Sequence, residues 1–567
     1  MAAVPGAKPA AGFFQTRRGR ILQENLTAYL FLLPAGTLIF LFGIFPVAFA
    51  FFVSLHRWRR FPEEYRGLDN YVRALGGMGY ALFVWLGIGA LVYAGVMLYR
   101  LWRAQRTNGN YPLLMLIPGL VNAGAILLFI RWFFLLLPIV LDIPQRIRGQ
   151  ERVTGLFMSE LFASLGAVAA DGNWMLVGIV AALVASFMFL RGFGRGEPPI
   201  RPYTGSETSN TVHLVRATAF FVLLASAFLI LQLTVAEIQA AIVEAQANGE
   251  ALPLWSQIIF ISLGAALLIS AYVAWQRANK QYEQRQFAAF ALAALLLMVG
   301  GYLLAAELPN ALANADEAML RGFNITVMFS IGTVPVQLAV GLGLAYLLFQ
   351  NIKGKSFFRI IYFLPYITPF VATSVVFKIL FSHREQSIVN NIVGFFGIPP
   401  QKWLLEPTGV FELMFGPQTP DWLAGPGLAL VVIMLYTTWT YIGYDTVVFL
   451  AGLGNISGEL YEAARIDGAS SWALFRHITL PLLSPTTFFL SLIALIGTFK
   501  AFTQIWIMRS PAAASSVDTV SVYIFETVRA TDPNMGYGSA MSFVLFGIIL
   551  LLTLFQNRIM GSRVFYG

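Results

Sequence analysis

The sequence predicts an all-α polytopic membrane protein, and three observations carry that reading. The chain of 567 residues is 58% hydrophobic and only 11% charged, whereas soluble domains are about a quarter charged. Apolar runs of about 18 residues or more, long enough to cross roughly 30 Å of hydrocarbon as helix, recur along almost the whole length. These runs are continuous and do not alternate over ten-residue segments, which argues against a barrel. The net charge of +9 could suggest nucleic acid. The basic residues, however, sit in short clusters at the ends of apolar runs, as membrane orientation requires, so no nucleic-acid partner is expected and the bilayer is. The absence of cysteine excludes disulfides, thiolate metal sites and cysteine nucleophiles.

Taken in order, residues 1–20 read as a polar cytoplasmic tail ending in Thr16-Arg17-Arg18-Gly19-Arg20, with no small-residue cleavage site. Spans are expected at 27–55, 80–102, 111–140, 174–192, 214–236, 254–275, 287–306, 324–350, 359–381, 426–450, 485–508 and 539–560, twelve crossings with both termini inside. The loops agree with that count. Basic segments at 102–106, 191–195, 275–280 and 353–359 fall inside, and the acidic segments 236–250 and 307–317 fall outside. One stretch, 131–171, conflicts with it, because Arg146, Arg148 and Arg152 land outside. An interfacial helix or two further crossings are the readings left for that stretch. The Pro/Gly-rich segment 192–202 reads as a cytoplasmic connector.

Between the spans 426–450 and 485–508 lies a polar, charged insert. Ser457 is a candidate N-cap, and the acids that follow it suit the helix dipole over Gly458 to Asp467. Gly468 permits a sharp turn, and a second short helix, Ser470 to Ile478, runs into Leu480-Pro481, where a break is expected. A helix–turn–helix of this size buries too little to stand alone, so it implies a partner surface or else a solvated loop that only enforces topology.

These residues also carry a resemblance. Glu462-Ala463-Ala464, three residues, Gly468, nine residues, Ile478, one residue and Leu480-Pro481 fit the EAA loop of binding-protein-dependent ABC importer permeases. The surrounding string resembles their carbohydrate branch, the maltose and glycerol-phosphate type. Leu26 to Trp58 with Gly67-Leu68-Asp69-Asn70-Tyr71 is similar to the first core helix and its external segment. Gly322 to Phe381 is similar to the second and third helices, Ser387 to Gly394 with Trp403 to an external loop, and Met535 to Ala540 to the start of the last helix.

The resemblance implies a six-helix type I permease core, residues 21–75 and 321–567, interrupted by a hydrophobic insertion at 76–320 that holds about six additional helices. It also implies partners: a second permease subunit, two ATPase subunits that bring ATP and magnesium, and an extracytoplasmic sugar-binding protein at a prokaryotic inner membrane. By position, Glu462, Ala463, Ala464, Asp467, Gly468, Ala469, Ile478, Leu480 and Pro481 within a loop at 458–485 would couple to the ATPase. Glu462 would pair with a basic residue there and the alanines would allow close approach. Arg509-Ser510-Pro511-Ala512 departs from the Gly-Gly-Pro turn of many sugar permeases.

Two polar-aromatic clusters interrupt the core spans, Thr437 to Asp445 and Thr498 to Gln504. Hydroxyls, amides and aromatic faces suit a sugar, and polar groups within spans usually face a cavity or a partner helix. Trp439, Thr440, Tyr444, Thr498, Lys500, Ala501 and Gln504 are the candidate substrate contacts. The resemblance puts Thr498 and Ala501 at contact positions and matches Tyr444 to a contact tyrosine. On the residues alone, Trp439 and Tyr441 read equally as packing aromatics and Lys500 as a snorkelling side chain.

No catalytic chemistry is expected of this chain. Gly354-Lys355-Ser356 lacks the glycine of a phosphate loop, since Phe349 stands there, and the histidines, including His477, make no metal spacing. The rival classes are a self-contained secondary transporter, with Asp445 as its main coupling acid, and a membrane scaffold that does not transport.

Overall fold

The computed structural model describes residues 17–59, 62–108, 112–147, 155–192, 210–249, 251–278, 283–350 and 353–561. Most of the tail at 1–20, the connector after Gly192, and Arg148 and Arg152 therefore lie outside the described residues. The chain divides into two compact units.

The first unit begins with α1 (Arg17–Ile39), a π turn at Phe40–Ile44 and α2 (Phe45–Ser54). A short antiparallel ribbon follows, β1 (His56–Trp58) on β2 (Pro62–Tyr65), braced by the Arg57–Glu63 ion pair at 3.1 Å. The unit resumes at Asp316.

The second unit, Gly67–Ala315, is helical: α3 (Asp69–Leu75), α4 (Met78–Asn108), α5 (Leu116–Leu141), α6 (Ile143–Arg146), α7 (Leu156–Gly192), α8 (Asn210–Ala247), α9 (Leu254–Ala278) and α10 (Glu283–Leu312). Within it α4 packs on α8, α5 on α7 and α8, and α9 on α10. Trp85 Nε1 donates to Ser262 Oγ at 2.8 Å and ties α4 to α9. Among the described residues the stretch 131–171 is helical, with the short α6 between two long helices. Its front belongs to α5 and its back to α7, a helix of 37 residues that also contains the span expected at 174–192. Arg146 does not act as a free topological charge. It pairs with Asp142 at 3.3 Å and Glu160 at 3.6 Å, and donates to the Ile139 carbonyl at 2.6 Å. The acidic segment after Ala236 is helical to Ala247, so α8 is about 57 Å long at 1.5 Å per residue.

The first unit continues with α11 (Glu317–Phe349), α12 (Lys355–Ile367), α13 (Phe370–Leu380), α14 (Ile388–Phe395), α15 (Val410–Phe415), α16 (Leu428–Gly454), α17 (Gly458–Ile466), α18 (Ser471–Leu474), α19 (Leu480–Leu482), α20 (Ser484–Phe499), α21 (Thr503–Met508), α22 (Ala514–Val517), α23 (Val520–Arg529) and α24 (Met535–Met560). Here α16 lies at the centre, against α11, α12 and α20. Its buried Leu430, Ile433 and Tyr436 form one core with Phe329, Ile505 and Met508, and Phe449 and Leu453 form a second with Ala345, Leu483 and Leu490. Gly443 sets the α12–α16 spacing, because a Cβ there would lie 1.9 Å from the Tyr362 carbonyl oxygen.

Among the described residues, nine helices are long and apolar enough to cross a membrane, or eleven if each of two bent pairs is one span. Two of the spans expected above, 359–381 and 485–508, are interrupted. The span 359–381 turns by 97° between α12 and α13. Thr368 there is extended (φ −70°, ψ 140°), as a residue before proline prefers, and Pro369 brings no N–H to continue the helix. The span 485–508 stops at Phe499, and α21 is a separate helix.

Candidate functional site

A cavity of about 230 Å³ opens inside the first unit, lined from α11, α12, α16, α20 and α21. The α16 residues on it, Thr437, Tyr441, Tyr444 and Asp445, follow the three-and-four spacing of one helix face, and Leu490, Ala494, Gly497 and Thr498 do the same on α20. Tyr366 of α12 organises the aromatic side. Its ring stacks on Tyr444 with centroids 5.0 Å apart and meets Tyr441 at 5.8 Å. Gln337 and Gln504 add amides. Thr498 Oγ1 donates toward Ser330 Oγ at 2.9 Å and the Leu495 carbonyl at 3.0 Å, which pins α20 to α11 beside the cavity. Hydroxyls, amides and aromatic faces around a space of this size can hold a polyhydroxyl solute.

Of the candidates named from sequence, Tyr444, Thr498 and Gln504 line this cavity. The other four do not. Trp439 lies two residues, and so about 200°, around α16 from Thr437 and packs on Phe377 at 5.1 Å. Thr440 is fully buried and returns its hydroxyl to the Tyr436 carbonyl at 2.9 Å. Ala501 belongs to the apolar core, and Lys500 is exposed at the C-terminus of α20. Sequence reasoning missed Gln337 and Tyr366, which come from helices outside the two clusters. The three-and-four spacing from Thr437 would have separated Tyr441 and Asp445 from Trp439.

The insert after α16 forms a compact elbow. Helix α17 ends in a Schellman motif: Gly468 N–H bonds to the Arg465 carbonyl at 3.0 Å and Ala469 N–H to that of Ala464 at 2.9 Å. Gly468 takes φ +82°, the left-handed conformation that glycine adopts without steric cost. Ser457 stands at the N-cap position, but its side chain caps nothing; Ser470 does cap α18, through Ala473 N–H at 3.3 Å. Pro481 does not break the second helix. A π turn at Phe475–Thr479 absorbs it and the chain continues to Leu482 before bending 63° into α20.

The inner side of the elbow is anchored. Leu474 is buried, Phe475 meets Tyr346 of α11 at 5.1 Å, and the hydroxyls of Tyr461 and Thr479 lie 3.0 Å apart. Its other side is open. Glu462, Ala463, Asp467, Gly468 and Leu480 are exposed, Ala464, Ala469, Ile478 and Pro481 half-buried, and two large apolar side chains, Ile466 and Trp472, are 86% and 67% exposed.

The chain's departure at 509–512 is clamped by charge. Arg509 reaches Asp518 at 2.8 Å and Glu526 at 2.5 Å, with its guanidinium 5.0 Å over Trp506. Burial pushes the Asp518 carboxyl up to about 6 despite Arg509.

The profile of the family described as binding-protein-dependent transport system inner membrane component matches residues 337–564. The lactose transport system permease protein LacF of Rhizobium radiobacter is 31% identical over 42% of this chain and 76% of its own length. The chain belongs to that family. A second relative of this permease, the arabinooligosaccharides transport system permease protein AraP of Bacillus subtilis, is 32% identical over 42% of this chain and 70% of its own. A solved bacterial ABC transporter involved in the import of the acidic polysaccharide alginate aligns with 44% of the permease and 80% of its own chain, at 22% identity and a TM-score of 0.38.

Proposed function

We propose that this permease moves a sugar, a mono- or oligosaccharide of the maltose-like kind, across a prokaryotic inner membrane into the cytoplasm, with both termini cytoplasmic. It pairs with a second permease subunit, receives substrate from an extracytoplasmic binding protein and is driven by two separate ATPase subunits that hold ATP and magnesium. The 76–320 insertion is an addition to the importer core and has a structural role.

One observation supports this reading above the others: the elbow at 458–485 is anchored on one side and bare on the other, with Ile466 and Trp472 exposed beside Glu462. Large exposed apolar residues rimmed by charge suit a protein partner. In this reading Glu462 meets a basic residue of the ATPase, Ala463, Ala464 and Ala469 allow close approach, and Asp467, Gly468, Ile478, Leu480 and Pro481 hold the shape of the elbow. The cavity behind it, with Tyr444, Thr498 and Gln504 on its wall, is where the sugar passes. The test is co-purification of an ATPase with the tagged permease. Glu462→Lys and Gly468→Pro should abolish it while membrane insertion persists, and unchanged association of both variants would reject the coupling role.

A further inference from the structure

The wall of the cavity is unbalanced in charge. Among the described residues that line it none is basic, and one, Asp445, is acidic. Asp445 is 2% exposed and its Oδ2 has no hydrogen-bond partner. Gln337, equally buried, leaves its Oε1 without a partner as well. Both atoms have almost no accessible surface, and they stand on helices in close contact: a Cβ added at Gly341 of α11 would lie 2.8 Å from Asp445 Cβ. Both side chains nevertheless line the cavity, so the described residues of its wall offer a solute carboxyl, amide and hydroxyl groups and no cation.

We propose that Asp445 and Gln337 determine specificity for uncharged polyhydroxyl solutes and exclude anionic ones; this rests on the importer reading above. Sugar hydroxyls bond to the carboxyl and amide groups that these side chains bring to the wall while the stacked rings of Tyr366 and Tyr444 take the C–H face. A sugar bearing carboxylate or phosphate brings further acceptors and a charge that meets no countercharge. Burying an unpaired charge is strongly unfavourable, and a neighbouring carboxyl adds to that penalty.

The test uses the membrane complex purified through a tag on this chain and held in nanodiscs, without binding protein. The probes are a neutral glucose disaccharide and its uronate, in which one hydroxymethyl group is a carboxylate. Saturation-transfer NMR reads weak binding of each. The wild type should transfer saturation to the neutral disaccharide at least tenfold more strongly than to the uronate. Asp445→Asn, of the same shape, should narrow that ratio severalfold, and Gly497→Phe, which puts a ring on the cavity wall, should remove both signals. Equal wild-type signals, or a ratio unmoved by Asp445→Asn, would overturn the proposal. Loss of both probes together with intact ATP-driven sugar uptake by the same complex, reconstituted in sealed vesicles with its binding protein, would overturn the cavity assignment and leave the importer reading standing; failure of that uptake would sink the importer reading.

Discussion

Asp316→Ala is the substitution whose cost can be worked most fully from the structure. Asp316 precedes α11, where its Oδ1 accepts the N–H groups of Ala318 at 2.9 Å and Met319 at 3.2 Å. Its Oδ2 accepts the hydroxyls of Tyr523 on α23 and Tyr537 on α24, each at 2.8 Å. Burial acts to raise the carboxyl's pKa, but the hydrogen bonds from Tyr523, Tyr537, Met319 and Ala318 outweigh it and hold it below its usual 3.8. Losing the cap costs about 1 kcal/mol, and losing two hydrogen bonds to a charged acceptor about 1.5–3 kcal/mol each. Tyr523 is half-buried and turns to water, whereas Tyr537 is fully buried, so about 3–5 kcal/mol is expected in total. In thermal unfolding of the purified chain in nanodiscs this is a fall of roughly 5–10 °C for a unit of this size. Asp316→Asn, which keeps an acceptor, should fall by less than half as much. The sign with pH follows from the lowered pKa: the contribution is complete above pH 3.8 and is lost as pH falls through the folded value. A loss under about 0.5 kcal/mol for Asp316→Ala, or full additivity with Tyr537→Phe, would refute the node.

Other expectations are checked by simpler means. Gly443→Ala drives a methyl into the Tyr362 carbonyl and should cost about 3 kcal/mol or more, seen as poor yield and a broadened size-exclusion profile. Gly468→Ala should cost about 1–2 kcal/mol at a φ of +82° and weaken ATPase association without affecting the cavity, measured by pull-down beside sugar binding. Asp518, with its pKa raised to about 6, binds a proton more tightly folded than unfolded. The stability of the wild type relative to Asp518→Asn should therefore decline as pH rises from about 4 to 6, by at most about 3 kcal/mol, and stay level above, in melts across that range. Tyr366→Ala should reduce sugar uptake at least tenfold while Tyr366→Phe retains most of it, because the stacked ring and not its hydroxyl is the contact with Tyr444.

The sequence made helices legible where apolar length alone decides, and it made the elbow legible because Glu462, Gly468 and Pro481 sit at fixed spacing. It made breaks within spans less legible. Pro369 and Pro481 both stand in apolar helical strings; one breaks its helix by 97° and the other is absorbed in a π turn, and neighbouring packing decides between those outcomes. The extent of α7 and α8 is hidden because charged residues suggest loops, while Arg146 and Glu160 satisfy each other on helices. At the cavity, Tyr444, Thr498 and Gln504 were reachable from local polarity. Tyr366 and Gln337 were not, since their part depends on α12 and α11 being brought beside α16 by Gly443 and Gly341.

Helices α16 and α20 face each other across the cavity, and the elbow is the short run of chain that joins them. They resemble the two arms of a pair of tongs with the elbow as the bow between them. Under the importer proposal a push on the bow would reach Tyr444 along one arm and Thr498 along the other, with Leu483 the joint between the bow and the second arm.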